Sequence, residues 1–251
     1  ADVYQLISAF RNDNLVVRMH AADQLADRIG PQAVIPVNDL LSKKEITPRE
    51  YIHALWVLQR LNAISPAILL KAAAGQDALI RLHALRILNE RAEATDAVYN
   101  LAIQSLNDQD PHIQRAAVEL LMLFPDIRTV EQLVTFRKKV PDTDSHLIYT
   151  IRLALRTLLR NSPVMHAAYG KTWGETDAQV LSTVLVGVQT EESGRLMYEY
   201  LKKRTISGHE LQKAFNHVVR FVPKDKVGEV IGEARIQASR DIDLEYAIFM
   251  A

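Results

Sequence analysis

Apolar residues recur at helical spacing along most of the chain, as at Ile80, Ala84, Ile87 and Leu88, and again at Ile113, Ala117, Leu120 and Leu121. No sustained run alternates apolar with polar in the manner of a strand. Gly and Pro, nine of each, fall at intervals and do not gather into a linker, so the pattern predicts helices separated by short turns. Set beneath one another, NLVVRMHAADQL, REYIHALWVL, DALIRLHALRIL, DPHIQRAAVELL and DSHLIYTIRLAL bring Ala21, Ala54, Ala84, Ala117 and Ile151 into register, at offsets of 33, 30, 33 and 34 residues. A period of this size predicts two-helix repeats, each covering its apolar side only against its neighbours. The small residue lets the second helix of each pair approach closely. Leu25, Leu58, Leu88, Leu121 and Leu155, four positions on, fill the next turn of the same face.

Each second helix is preceded by a residue able to cap it: Asn14, Asp77, Asp110 and Asp144, with Thr47-Pro48 and Glu50 in the second repeat. Five repeats thus span about residues 2–161. Beyond Asn161 the period breaks at Ser162-Pro163 and at Gly170 to Gly174. Helices are expected at about 177–189, 191–204, 208–222 and 224–240, with cap motifs at Thr190 and Ser207. The chain is therefore read as one stack over 1–251, regular to 161 and degenerate from 162, in preference to a stack with a separate second domain.

The tetratricopeptide and ankyrin signatures are absent. An acidic or Asn loop, then Val17-Arg18 or Ile80-Arg81, then Ala and Leu at helical spacing, resembles a HEAT repeat, although the period is shorter than the roughly 40–47 residues usual for one. The implied class is all-α, a right-handed α–α superhelix of the HEAT-like or armadillo type. Ala54 to Leu61, Ser65-Pro66-Ala67 to Leu70 and Arg81 to Arg86, with Thr190 to Ser193 and Leu211 to Val222, are similar to one helical segment in particular. It is that of secreted bacterial proteins joining a sorbosone-dehydrogenase-like propeller to a cytochrome c module. The resemblance implies a periplasmic or secreted setting and a role connecting or presenting neighbouring domains. The redox chemistry does not carry over: the chain has no Cys, hence no haem-attachment motif, disulfide or Cys-based zinc site.

Lys+Arg and Asp+Glu balance at 30 each, so no global cationic field draws the chain to nucleic acid or an anionic membrane. No apolar run is long enough to suggest membrane insertion. The start at Ala1, without Met or a basic-then-apolar leader, fits a processed N-terminus or an excised segment.

Among candidate chemical residues, His20, His53 and His83 share one repeat position, a ladder suggestive of a metal or pH site. Stacked helices about 8–10 Å apart do not bring three imidazoles to one ion, which favours packing or inter-repeat hydrogen bonds. Arg152, Arg156 and Arg160 form an i, i+4, i+8 row, and residues 127–161 hold seven basic against three acidic side chains. The row is the best candidate contact surface, with a solvated or salt-bridged face as the alternative. Arg18 and Arg81 are expected to pair with loop acids of their own or the next repeat, with Gln114 standing in the fourth. Trp56 has a core-like setting. Trp173, beside Gly174, is either a loop anchor or an exposed binding residue. Glu191-Glu192 suit a helix start. Phosphate-loop, zinc-protease and serine-hydrolase motifs are absent. The sequence thus points to a non-catalytic scaffold or protein-interaction segment, with no cofactor, whose partner is a protein or the parent's flanking domains. The alternatives are a DNA-glycosylase-type enzyme on a HEAT-like scaffold, or a segment shaping the active site of a redox-linked parent.

Overall fold

In a computed structural model, which describes residues 1–203, 208–238 and 246, the chain is all-α, and no strand occurs among the described residues. It divides into two compact units, 1–123 and 124–251. The period break at Asn161 falls inside the second of these, and the boundary between units instead precedes the fifth sequence repeat.

The N-terminal unit holds α1 (Val3–Ser8), α2 (Leu15–Asp23), α3 (Val34–Leu41), α4 (Pro48–Arg60), α5 (Pro66–Ala73), α6 (Ala78–Arg91), α7 (Asp96–Ser105) and α8 (Pro111–Leu121). Packing follows chain order. α3 pairs with α4, α5 with α6 and α7 with α8, while the second helices α2, α4, α6 and α8 lie each against the next. This is the nearest-neighbour arrangement of a helical repeat.

The aligned positions carry the core. Ala21, Ala54, Ala84 and Ala117 are buried, as are Leu25, Leu58, Leu88 and Leu121 one turn further on. Burying one leucine contributes roughly 2 kcal/mol, so repetition of this pair supplies much of the interior. The caps form as expected: Asn14, Asp77 and Asp110 accept the N–H of Val16, Ile80 and His112, and Thr47 and Glu50 complete a reciprocal capping box. Glu50 is also bound by Arg11 at 2.7 Å. Its burial disfavours charge, yet the Thr47 N–H and the Arg11 guanidinium hold its carboxyl below the ordinary value.

One departure lies after α2, where Gln24–Ile29 winds as a π-helical turn and ends at Gly30. There φ is +64°, a conformation that costs glycine little and lets the chain turn toward α3.

The C-terminal unit holds α9 (Ile127–Arg137), α10 (Ser145–Leu159), α11 (Ser162–Tyr169), α12 (Glu175–Leu185), α13 (Glu191–Lys202), α14 (Gly208–Phe221) and α15 (Val227–Ala238). Ile151 and Leu155 are buried, and Asp144 caps α10 by accepting the Leu147 N–H. The regular ladder gives way here: α12 packs on α9 and α10 together and also on α13, while α11 lies against α10 and α13. Ser162-Pro163, which interrupts the period, opens α11, because Pro at an early helical position omits an N–H that has no partner there. Thr190 caps α13 as expected; the cap motif at Ser207 and the predicted helix ends at 204 and 240 lie outside the described residues.

Candidate functional site

In the N-terminal unit an arginine of α2 and one of α6 turn back on the loop ahead of their helix. Arg18 donates to the carbonyls of Asn12 (2.6 Å) and Asp13 (2.9 Å), and Arg81 to those of Gly75 (3.1 Å) and Gln76 (2.6 Å). Gln114 repeats the device with one bond, 2.7 Å to the Asp108 carbonyl. Arg81 also grips the Asp108 carboxylate of the next repeat through two nitrogens, at 2.9 and 3.2 Å. Burial pushes the Asp108 carboxyl upward, but the guanidinium and the Asp110 N–H bring it below its ordinary value. Arg18 has no such acid, contrary to expectation; its Nε donates to His53 Nε2 at 3.3 Å instead.

That contact belongs to a groove of about 410 Å³ crossing α2, α4 and α6. Leu15, Met19, Ala22, Ile52 and Trp56 provide its apolar surface, and Arg18, Arg49 and Arg60 stand around it. Leu15 and Met19 are each 53% exposed, an unusual state for such side chains side by side on one helix. The walls are braced internally. Arg60 meets Asp23 at 2.6 Å and Asp27 at 2.8 Å, and Arg49 meets Asp13 at 3.1 Å. Trp56 is not a core residue as its neighbours suggest: it is half-buried, lines the groove and donates its Nε1–H to His83 Nδ1 at 3.0 Å.

The histidine ladder is not assembled as a ligand set. His20 is exposed, His53 stacks on Phe10 with ring centroids 5.2 Å apart and accepts from Arg18, and His83 accepts from Trp56. Both acceptor rings are neutral in these roles, with the proton on the other nitrogen. Burial, reinforced by Arg18 and His83 at His53 and by Arg86 at His83, pushes both below the usual histidine value. Among the described residues no group of three or more His, Cys, Asp or Glu is placed to hold a metal ion.

The arginine row of α10 is also not a free stripe. Arg152 donates to the Thr183 carbonyl at 3.0 Å and Arg160 to that of Gly187 at 3.4 Å, so both serve the carbonyl end of α12, where positive charge is favourable. Arg156 lies between them against Gly187, so tightly that a Cβ there would sit 2.3 Å from its Nε. Arg152 and Arg160 remain solvent-exposed, but the row's geometry is set by α12.

Trp173 is seated as a loop anchor and is half-buried. Its Nε1–H donates to the Ala168 carbonyl at 2.8 Å, anchoring the loop, and its ring borders a cleft of about 470 Å³ between the α11–α12 loop, α12 and α13. Ala178, Leu181, Leu185 and Leu196 floor the cleft, and Tyr169 and Tyr200 line it with Trp173.

A buried pair escaped the sequence reading. Ser193 Oγ lies 2.7 Å from His217 Nε2 and 2.6 Å from the Val188 carbonyl, with Ser193 fully buried. The hydroxyl has one proton, directed to the carbonyl, so His217 is the donor to Ser193. Burial depresses the His217 pKa to about 4. With no route for substrate to the Ser193 oxygen, the pair ties α13 to α14 and is not a nucleophilic site. The only local sequence sign was Ser193 standing three residues after its cap, Thr190.

No protein-family model and no curated protein matches the chain. Among solved structures it is similar to three engineered proteins. The first shares 13% identity at TM-score 0.47 over 98% of this chain and 76% of the other. The second shares 16% at 0.39 over 99% and 94%, and the third 14% at 0.39 over 100% of both. Likenesses of this degree leave function to be argued from the chain's own geometry.

Charge within the N-terminal unit is unevenly placed. Its second helices carry arginines at 18, 49, 60, 81, 86, 91 and 115 against acids only at 23, 50, 90 and 119. Of those acids, Glu50 is buried, while Arg86 is exposed and has no ion pair among the described residues. The first helices α1, α3, α5 and α7 carry only Asp39, Lys71 and Asp96.

Proposed function

We propose that this chain is a non-catalytic, HEAT-like interaction module that binds a polypeptide across the second helices of its N-terminal unit. The observation that carries this reading is the groove at Leu15, Met19, Ile52 and Trp56, apolar, open and bordered by arginine. A partner suited to it offers a bulky apolar side chain to the groove and carboxylates to Arg49 and Arg86. The apolar anchor supplies affinity, and the charges set orientation and encounter rate. The resemblance to secreted multidomain proteins supports an extracytoplasmic setting, with a flanking domain of the parent chain as the natural source of the segment.

Panning a displayed random-peptide library on the whole chain tests this. Selected peptides are expected to combine acidic residues with a large apolar residue, and to lose about tenfold or more in affinity to Met19→Glu, about 1.4 kcal/mol. Peptides with no acidic bias, or bound equally by that variant, overturn the reading. Duplex DNA titrated at rising salt supplies the competing outcome, since phosphate contacts by the same arginines give binding that falls steeply with ionic strength.

A further inference from the structure

The cleft at Trp173 lies in the C-terminal unit and is independent of the groove on α2, α4 and α6. At about 470 Å³ it falls in the size range of small-molecule sites, and it sets aliphatic and aromatic side chains beside the charged Lys171, Glu175, Glu199 and Lys203. Leu181 and Leu185, each only 1% exposed, lie in the core beneath it, and the half-buried Ala178, Leu196, Trp173 and Tyr200 supply the apolar surface that a ligand would meet.

Part of the wall is held before any ligand arrives. Trp173 is fixed by its bond to Ala168, and Lys171 lies 5.5 Å from the Trp173 ring centre while bound to Glu131 at 2.5 Å. A site whose walls already have their partners loses little entropy on binding.

The same bonds decide what the cleft accepts. Trp173 Nε1, the Lys171 ammonium and the Glu199 carboxylate, which meets Lys202 at 2.6 Å, are all engaged within the fold, and Glu175 is engaged as well. A sugar, which needs many donors and acceptors from its site, finds few. Lys203 differs: it borders the cleft, is exposed, and its side chain makes no hydrogen bond or ion pair among the described residues. One unpaired cation beside an apolar floor calls for a ligand with one anionic end.

We propose that this cleft binds a small amphiphilic carboxylate, its acyl or aryl body seated on Ala178 and Leu196 between the aromatic walls and its carboxylate held by Lys203.

The probe is decanoate, kept below its micelle-forming concentration and titrated into the whole chain while amide and indole N–H signals are followed by NMR, with decanol as the uncharged control. Saturable shifts are expected at the Trp173 indole and at Ala178, Leu181, Leu196 and Tyr200, with the Trp56 indole unmoved. Decanol is expected to bind about tenfold more weakly, and Lys203→Glu, an exposed change that leaves the floor intact, to weaken decanoate about tenfold or more. Equal binding of decanol, an unaltered affinity in Lys203→Glu, shifts distributed over both indoles, or no shifts at all would each overturn the assignment.

Discussion

In the N-terminal unit, Arg18 and Arg81 reach back five and six residues to the carbonyls that precede their own helix. In the C-terminal unit, Arg152 and Arg160 reach forward 31 and 27 residues to the carbonyls that end α12. The backward-reaching pair each keep one further contact with the next repeat, Arg18 with His53 and Arg81 with Asp108, and Leu15 and Met19 stay exposed beside Arg18. A forward reach ties α10 to the carbonyl end of α12, while Arg152 and Arg160 stay solvent-exposed. The same residue type therefore clamps the loop ahead of its own helix in one unit and the end of a following helix in the other. The deciding factor is which unsatisfied carbonyls lie within reach of the guanidinium.

Acid should separate the two units most strongly. His217 is fixed as a neutral donor with a pKa near 4, whereas the unfolded chain takes up that proton near the ordinary histidine value of about 6.5. Between those values the folded state holds fewer protons, so the contribution is complete above about pH 6.5 and is lost as pH falls toward 4. Each pH unit costs about 1.4 kcal/mol, to a total on the order of 3 kcal/mol. Denaturant melts across that range should show the slope in the wild type and lose the His217 share of it in His217→Gln, the remainder coming from His53 and His83, which burial also lowers. An unchanged slope in the variant would remove His217 from the account.

A smaller contrast lies within the N-terminal unit. Arg81→Ala abandons two loop carbonyls and the largely buried Asp108 carboxylate and should cost about 2–3 kcal/mol. Arg18→Ala releases two carbonyls and the neutral His53 ring nitrogen, with no carboxylate among its partners, and should cost about 1 kcal/mol. Equal losses in thermal melts would mean that the ion pair to the next repeat contributes nothing beyond the loop clamp.

The smallest effect is expected at the forward-reaching row. Arg160→Ala, at an exposed helix end, should lower stability by about 0.3–1 kcal/mol, an effect that salt diminishes. Gly187→Ala should exceed it, because the new Cβ displaces the Arg156 side chain from a position 2.3 Å away. A neutral Gly187→Ala would show that the Arg156 side chain swings aside at little cost.

Much of this was readable in the chain. The registers at Ala21, Ala54, Ala84 and Ala117, and the caps at Asn14, Thr47, Asp77, Asp110 and Asp144, appear in the structure where the pattern placed them. Both kinds of signal are local: a helix face is set by spacing of three and four residues, and a cap by a side chain two or three residues from the N–H it satisfies. The Arg81 pairing with the next repeat was legible for the same reason, since repetition makes the neighbour predictable.

The candidate sites were less legible. Nothing in Ala54-Leu55-Trp56 tells that Trp56 borders a groove and donates to a histidine 27 residues on. Nor does the row at Arg152, Arg156 and Arg160 reveal that α12 ends against it. By itself the sequence determined an all-α chain of capped helices with a repeating small-then-leucine face. Tertiary structure alone decided which arginines remain open to a partner, which histidines act as neutral acceptors, and that Ser193 meets His217. Those outcomes depend on distances between side chains on separate helices, which no periodicity along the chain encodes.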